Sequence, residues 1–282
     1  MTQVRIVTDS TSDLTPEMVR EYGITVVPLS VHFGDEQFLD KVEITSEQFF
    51  QRLAASPQLP KTSAPSVQAF RQTYESLAAD AAGIVCITVG SKLSGTYNAA
   101  SLAARDFEPV PVRVVDSRTA SIALGLIVIA AAEVACDGAS LEEVEVVARD
   151  AADRTNIVFY ADTLEYLQKG GRIGRARAML GSILEVKPVL TVTEGEAAQY
   201  ARTRTRGKAI QALVDWAGKR VNPERVSVIW QQNETDLNRL LDALGQHYPR
   251  EKIEITQYGP VIGVHVGPGA MGVAVTEGVR GA

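Results

Sequence analysis

Several short stretches place hydroxyl, imidazole or guanidinium groups beside glycine and proline, where a chain turns and leaves backbone N–H groups free. Leu93-Ser94-Gly95-Thr96 follows an apolar run and precedes a helical pattern, so the Ser94 hydroxyl is expected near the unpaired N–H groups of a helix start. That end of a helix carries partial positive charge and favours an anion such as a carboxylate, although capping alone also accounts for a serine there. Pro60-Lys61-Thr62-Ser63-Ala64-Pro65-Ser66 has the same character, with the hydroxyls of Thr62 and Ser63 ahead of a proline and a helix. His265 lies in an apolar run, read as a strand, before a glycine-rich turn; a lone histidine in such a setting serves as a core residue as readily as a ligand. Ser94, His265 and Asp116 together have the composition of an acyl-hydrolase relay, but no G-x-S-x-G elbow surrounds Ser94. Arg202, Arg204 and Arg206, followed by Lys208, alternate along an expected strand and so share one face, which either meets an anion or is solvated.

Other motifs carry less. Gly267-Pro268-Gly269-Ala270-Met271-Gly272 matches G-x-G-x-x-G, yet only ten residues follow it, too few for the acidic ribose ligand about 20 residues on that a dinucleotide site requires. It reads instead as a turn permitting close backbone approach. No G-x-x-x-x-G-K-[ST] occurs, which leaves ATP without a P-loop. Cys86 and Cys136 form no Cys-x-x-Cys and sit among apolar neighbours, so both are expected as core thiols, with no metal site and no cofactor.

The elements that must position these groups alternate. Val4–Thr8, Ile24–Leu29, Gly83–Val89 and Val112–Asp116 read as strands, with helices starting at Thr15-Pro16-Glu17, at the Thr45-x-x-Gln48 capping box, at Ser66 and after Ser94. Continuous Val/Ile runs separated by helices predict a parallel sheet covered on both faces, an α/β domain whose ligands gather at the carboxyl ends of the strands. Those ends read Thr8-Asp9-Ser10-Thr11-Ser12-Asp13, Val89 to Thr96 and Val115-Asp116-Ser117-Arg118. A helix over about Thr119–Cys136 contains the longest apolar stretch, Ile122 to Ala132, well short of the roughly 20 residues that cross a bilayer, so it is read as buried. A second capping box, Ser140 to Glu143, opens a helix to about Arg154. A boundary near Asp153 then divides the chain into residues 1–153 and an α+β domain, residues 154–282, with any ligand between them. The second half reads as strands at Ile157–Tyr160, Val186–Thr193, Arg225–Trp230, Lys252–Gln257 and Val261–Val266, with helices near Asp162–Lys169, Lys208–Lys219 and Thr235–Tyr248.

Composition narrows the classes. The chain has 282 residues, about two domains at roughly 150 residues each. It is 45% hydrophobic but only 6% aromatic, so its apolar content is aliphatic and offers no stacking platform for bases. With 28 Lys and Arg against 34 Asp and Glu, the net charge of −6 gives no basic field for nucleic acid. Met1 to Asp9 lacks the basic stretch and apolar core of a signal peptide, giving an expectation of a cytoplasmic protein.

Taken together, five ordered motifs resemble the DegV family of bacterial fatty-acid-binding proteins, and the likeness runs from end to end. They are Thr8 to Asp13; Thr62 to Ser66; Ser91-Lys92-Leu93-Ser94-Gly95-Thr96-Tyr97-Asn98 with Val115-Asp116-Ser117; Asp162 to Gly174, including Gly170-Gly171-Arg172-Ile173-Gly174; and Gly259 to Gly269. The resemblance implies a non-enzymatic carrier that holds one long-chain fatty acid, with its carboxylate at the domain junction and its alkyl chain in an apolar tunnel. It assigns the carboxylate to hydroxyls matching Thr62 and Ser94 with a histidine matching His265 nearby, and Ser63, Gly95 and Thr96 as accessory. It also implies presentation of the acid to a partner fatty-acid kinase, which forms an acyl phosphate from ATP for phospholipid synthesis. An arginine of the family matches Arg204 when Lys208-Ala209 is aligned, but Gly207 departs from that pattern and makes Arg202 a competitor. Neutral hydroxyls and a helix start would hold the carboxylate without a buried cation. Two alternatives stand beside this: a serine hydrolase of acyl esters using Ser94 and His265, and a carrier of another anionic lipid.

Overall fold

Helix starts are written into this chain as side-chain caps. Thr15 accepts from the N–H of Met18 with Pro16 at the first helical position, Ser66 accepts from Ala69, and Thr45 and Ser140 each close a full capping box with Gln48 and Glu143. The computed structural model describes residues 3–181 and 186–278. In chain order the first half comprises β1 (Gln3–Asp9), a 3-10 turn at Ser10–Ser12, α1 (Pro16–Glu21), β2 (Thr25–Val27), β3 (Ser30–Phe33), β4 (Glu36–Leu39), α2 (Ser46–Ala55), β5 (Lys61–Ser63), α3 (Val67–Ala78), β6 (Ala81–Thr88), α4 (Thr96–Ala104), β7 (Val112–Asp116), α5 (Ile122–Cys136) and α6 (Leu141–Arg154). The second half follows with β8 (Thr155–Tyr160), α7 (Glu165–Lys169), a 3-10 stretch at Gly174–Met179, β9 (Lys187–Thr193), β10 (Glu196–Thr203), α8 (Arg206–Ala217), β11 (Pro223–Trp230), α9 (Glu234–Leu244), β12 (Ile253–Gln257), α10 (Pro260–Val266) and β13 (Met271–Glu277).

The fold is mixed α/β. β2-β1-β6-β7 form an all-parallel sheet in that order, as the Val/Ile runs predict. Its two faces enter different cores. Ile6, Val85 and Ile87 pack toward α5 and α6, whereas Val7, Ile84 and Cys86 pack toward α3 and α4. The second sheet runs β10-β9-β8-β13-β11-β12 and is antiparallel apart from the β11–β12 pair. Its Val158, Val228 and Val273 pack on α8 and α9, while Ile157, Ile229 and Ala274 face α5.

Helix α5 joins the two sheets. Apart from Glu133 near its end, its 15 residues are apolar on every side, so it must be surrounded, and it packs on β1 and β6 from one sheet and on β8, β11 and β13 from the other. Gly125 lets it approach the Ser10–Ser12 turn: a Cβ there would lie 2.6 Å from the Ser12 carbonyl oxygen and 3.0 Å from Leu14 Cδ2. Among the described residues, no helix is long and apolar enough to cross a membrane.

Several sequence expectations are corrected. Val261–Val266 is helix α10, not a strand; Pro260 occupies its first position with φ already suited to a helix, and a mainly apolar run of six residues cannot by itself distinguish the two states. The small antiparallel sheet β4-β3-β5 has strands of only three or four residues, too short for a periodic signal, and β13, which follows the Gly267-Pro268-Gly269 turn, is a strand that the sequence reading lacks. Arg202, Arg204 and Arg206 do not share a strand face, because β10 ends at Thr203 and Thr205 caps α8, making Arg206 a helix residue. Cys86 is buried as expected, but Cys136 is exposed, since it sits in the last turn of α5 where the helix leaves the core.

Gly125→Ala should lower stability by about 1–3 kcal/mol, the usual range for overpacking a filled contact. Urea unfolding would measure this, and an unchanged midpoint would show that α5 has slack against the Ser12 carbonyl.

Candidate functional site

Between the two sheets, at the start of α5, lies a cavity that with its open mouth encloses about 900 Å³ of space. Both halves of the chain line it: Leu29, Val89 and Leu93 come from the first, and Ile157, Phe159, Leu167, Val192, Ile229, Val261, Ile262, Val266 and Met271 from the second. Seven lining residues carry polar side chains: Thr11, Thr62, Ser94, Ser121, Arg172, Tyr258 and His265.

Three of the seven are committed to the protein itself. Thr11 donates to Asp9 Oδ1 at 2.5 Å, Ser121 donates to Asp13 Oδ2 at 2.7 Å, and the Tyr258 hydroxyl donates to the Gly267 carbonyl at 2.9 Å while accepting from the Ala270 N–H at 3.2 Å. Asp9 also accepts from the Val89 N–H at 2.7 Å, yet complete burial raises its carboxyl to about 6.

The other four lie along the rim. Strand β5 pairs with β3 and turns Thr62 toward α10, where its Oγ1 lies 3.0 Å from His265 Nε2. Behind the imidazole, Gly170 gives room: a Cβ there would lie 2.5 Å from His265 Nδ1. Arg172 donates from Nη1 to the Gly170 carbonyl at 2.8 Å and from Nε to the Leu93 carbonyl at 2.9 Å, so its guanidinium bridges the two halves. Next to Leu93, Ser94 Oγ shares a hydrogen bond with Thr96 Oγ1 at 2.8 Å and accepts from the Thr96 N–H at 3.3 Å. Desolvation, with Arg172 adding a like charge, lowers His265 to about 4. The imidazole is therefore neutral at pH 7, and its buried Nδ1 has no hydrogen-bond partner.

The structure brings Thr62, Ser94 and His265 to one cavity and separates the accessory candidates from it. Ser63, one residue along β5, points the opposite way and bonds His32 Nε2 at 2.9 Å. Gly95 is the position before α4, and Thr96 is buried against Ser94 without lining the cavity. Arg202 bonds Gln199 at 3.1 Å, and Arg204 borders a different surface hollow beside Asp162 and Lys187. The cation at the rim is Arg172, so a site without one is corrected. Its signal was a guanidinium set among the glycines of Gly170-Gly171-Arg172-Ile173-Gly174. The hydrolase relay is not assembled: Ser94 bonds Thr96, His265 bonds Thr62, and Asp116 accepts from the N–H groups of Ser91 at 3.1 Å and Arg118 at 2.9 Å. Among the described residues, no group of three His, Cys, Asp or Glu side chains is arranged to hold a metal ion.

Chemically, this is an aliphatic cavity with a rim of neutral donors and one guanidinium, suited to a molecule with an anionic head and an apolar body. Residues 3–278 match the family model described as "Uncharacterised protein, DegV family". A DegV domain-containing protein of Streptomyces coelicolor is 39% identical over 97% of this chain and 98% of its own length. Among solved structures, a fatty-acid-binding DegV family protein of Thermus thermophilus has a TM-score of 0.90 at 35% identity, covering 98% of this chain and 99% of that one. A stearic-acid-binding protein of Eubacterium ventriosum has a TM-score of 0.87 at 28% identity, covering 97% and 98%.

In lipid-free protein the His265 imidazole should remain neutral down to about pH 5, as read by its ¹⁵N shifts. Because its folded pKa lies below the unfolded value, its contribution to stability is complete above about 6.5 and is lost as pH falls toward 4. An imidazole that titrates near 6.5 would contradict the burial of this rim.

Proposed function

The chain belongs to the DegV family, and from that premise we propose that it carries one long-chain fatty acid, with the carboxylate on Thr62, Ser94, His265 and Arg172 and the alkyl chain inside the cavity. The observation that carries this reading is that one largely apolar cavity brings together the Thr62–His265 pair, Ser94, and Arg172 bonded to the Gly170 and Leu93 carbonyls. Burial of about fourteen methylenes contributes on the order of 11 kcal/mol before ordering costs, so the chain supplies the affinity and the rim sets orientation.

Handover follows from the same division. The bound carboxylate accepts hydrogen bonds from hydroxyls and a guanidinium and forms no covalent bond to the protein, which leaves an oxygen lone pair for attack on phosphorus. A partner fatty-acid kinase would bring ATP; the carboxylate oxygen bonds to the γ-phosphorus as the bond to the ADP oxygen breaks, giving an acyl phosphate for phospholipid synthesis. That partner requires ATP, which places the carrier in the cytoplasm. The protein itself would supply no catalytic residue and need no cofactor.

Native mass spectrometry of protein purified from bacteria should show one bound C14–C18 fatty acid. Protein that is lipid-free and takes up neither oleate nor palmitate would remove the proposal, and a different co-purified anionic lipid would replace it. Ser94→Ala should reduce kinase-dependent phosphorylation about tenfold, the loss of roughly one oriented hydrogen bond, while retention of lipid changes little. Equal loss of both would contradict the division between rim and chain. Labelling of Ser94 by a fluorophosphonate would revive the hydrolase.

A further inference from the structure

Three residues other than glycine hold left-handed backbone around a single buried group: Asp13 at φ 53°, Lys41 at φ 60° and Ser121 at φ 59°. Such conformations are uncommon for residues with side chains and persist where the surroundings enforce them. All three meet at the Asp13 carboxylate, which is 1% exposed. Its Oδ1 accepts from Lys41 Nζ at 2.8 Å and from the Gly259 N–H at 2.8 Å, and its Oδ2 accepts from the Ser121 hydroxyl at 2.7 Å. Two of these partners begin walls of the cavity. Ser121 lines it immediately before α5, and Gly259 precedes α10, whose Val261, Ile262, His265 and Val266 all line it. Asp13 itself does not line the cavity.

We propose that Asp13 is a positioning residue for the carboxylate site: by tying the Gly259 amide and the Ser121 hydroxyl to one carboxyl group, it sets the start of α10 against the start of α5 and thereby holds His265 on Thr62. The proposal rests on the cavity being the fatty-acid site. Without the carboxylate, the Gly259 N–H and the Ser121 hydroxyl lose a shared acceptor, and α10, seven residues long, has little intrinsic helix stability to keep its place.

The test is a ¹⁵N NMR titration of His265 in delipidated wild type and Asp13→Asn, with oleate binding measured on the same samples. Loosening α10 admits water to the imidazole, so its pKa should climb from about 4 by about one unit or more toward the ordinary 6.5, and oleate affinity should weaken about tenfold. Asp13→Gly, which suits the left-handed backbone, serves if the asparagine variant does not fold. Leu240→Ala, in the separate core behind the C-terminal sheet, controls for general destabilisation. The proposal is overturned if the His265 pKa stays at its wild-type value in the folded Asp13 variant, or if Leu240→Ala moves it equally. A wild type that binds no oleate defeats the fatty-acid reading, while the titration still decides the role of Asp13.

Discussion

A helix apolar on all sides has to be enclosed, and one sheet cannot enclose it. The burial of α5 therefore binds a parallel sheet and a mixed sheet into one core, and most of the site follows from that. Ahead of its first residue, Ala120 and Ser121 line the cavity, and Ile157 and Ile229 belong both to the core around α5 and to the cavity wall. The cavity is thus the continuation of that core past the end of its central helix.

Into this frame the C-terminal half sends α10, which packs on α2, β3 and β5 of the N-terminal half. Gly263 makes the approach to α2 close, since a Cβ there would lie 2.7 Å from Phe49 Cε1. At the start of α10, Asp40 Oδ1 lies 3.4 Å from the Val261 N–H, and burial raises the Asp40 carboxyl to about 6. Asp9 and Asp40 are raised above their unfolded values, so they lower stability as pH rises from about 4 to 6, whereas His265 adds stability over the same window.

Much of this was legible in the sequence, for identifiable reasons. The four strands of the parallel sheet were continuous apolar runs, and the helix starts announced themselves through Thr15, Thr45, Ser66 and Ser140. Thr62, Ser94 and His265 were gathered by the resemblance rather than by local pattern, since Pro60–Ser66 is a weak signal alone and His265 suits a core equally well; the structure brings all three to one cavity. What escaped were features without periodic signal. α10 is too short to distinguish from a strand, Arg172 gains its place only when the Gly170 and Leu93 carbonyls are brought together, and Asp13 acquires its three donors from positions 28, 108 and 246 residues away. Arg204 and Arg202 stood out because the resemblance aligns a family arginine with Arg204 and because alternation was extended past the end of β10, whereas Arg172 was quoted only as part of a longer motif.

The central claim is that the carboxylate of a fatty acid rests on the rim shared by the two halves. A crystal structure of the chain soaked with oleate tests it most directly. The account predicts carboxylate oxygens within hydrogen-bond distance of Thr62 Oγ1 and Ser94 Oγ, with His265 and Arg172 alongside and the alkyl chain running inward past Ile157 and Ile229. A carboxylate bound instead in the hollow beside Arg204, or an alkyl chain outside the cavity, would contradict it.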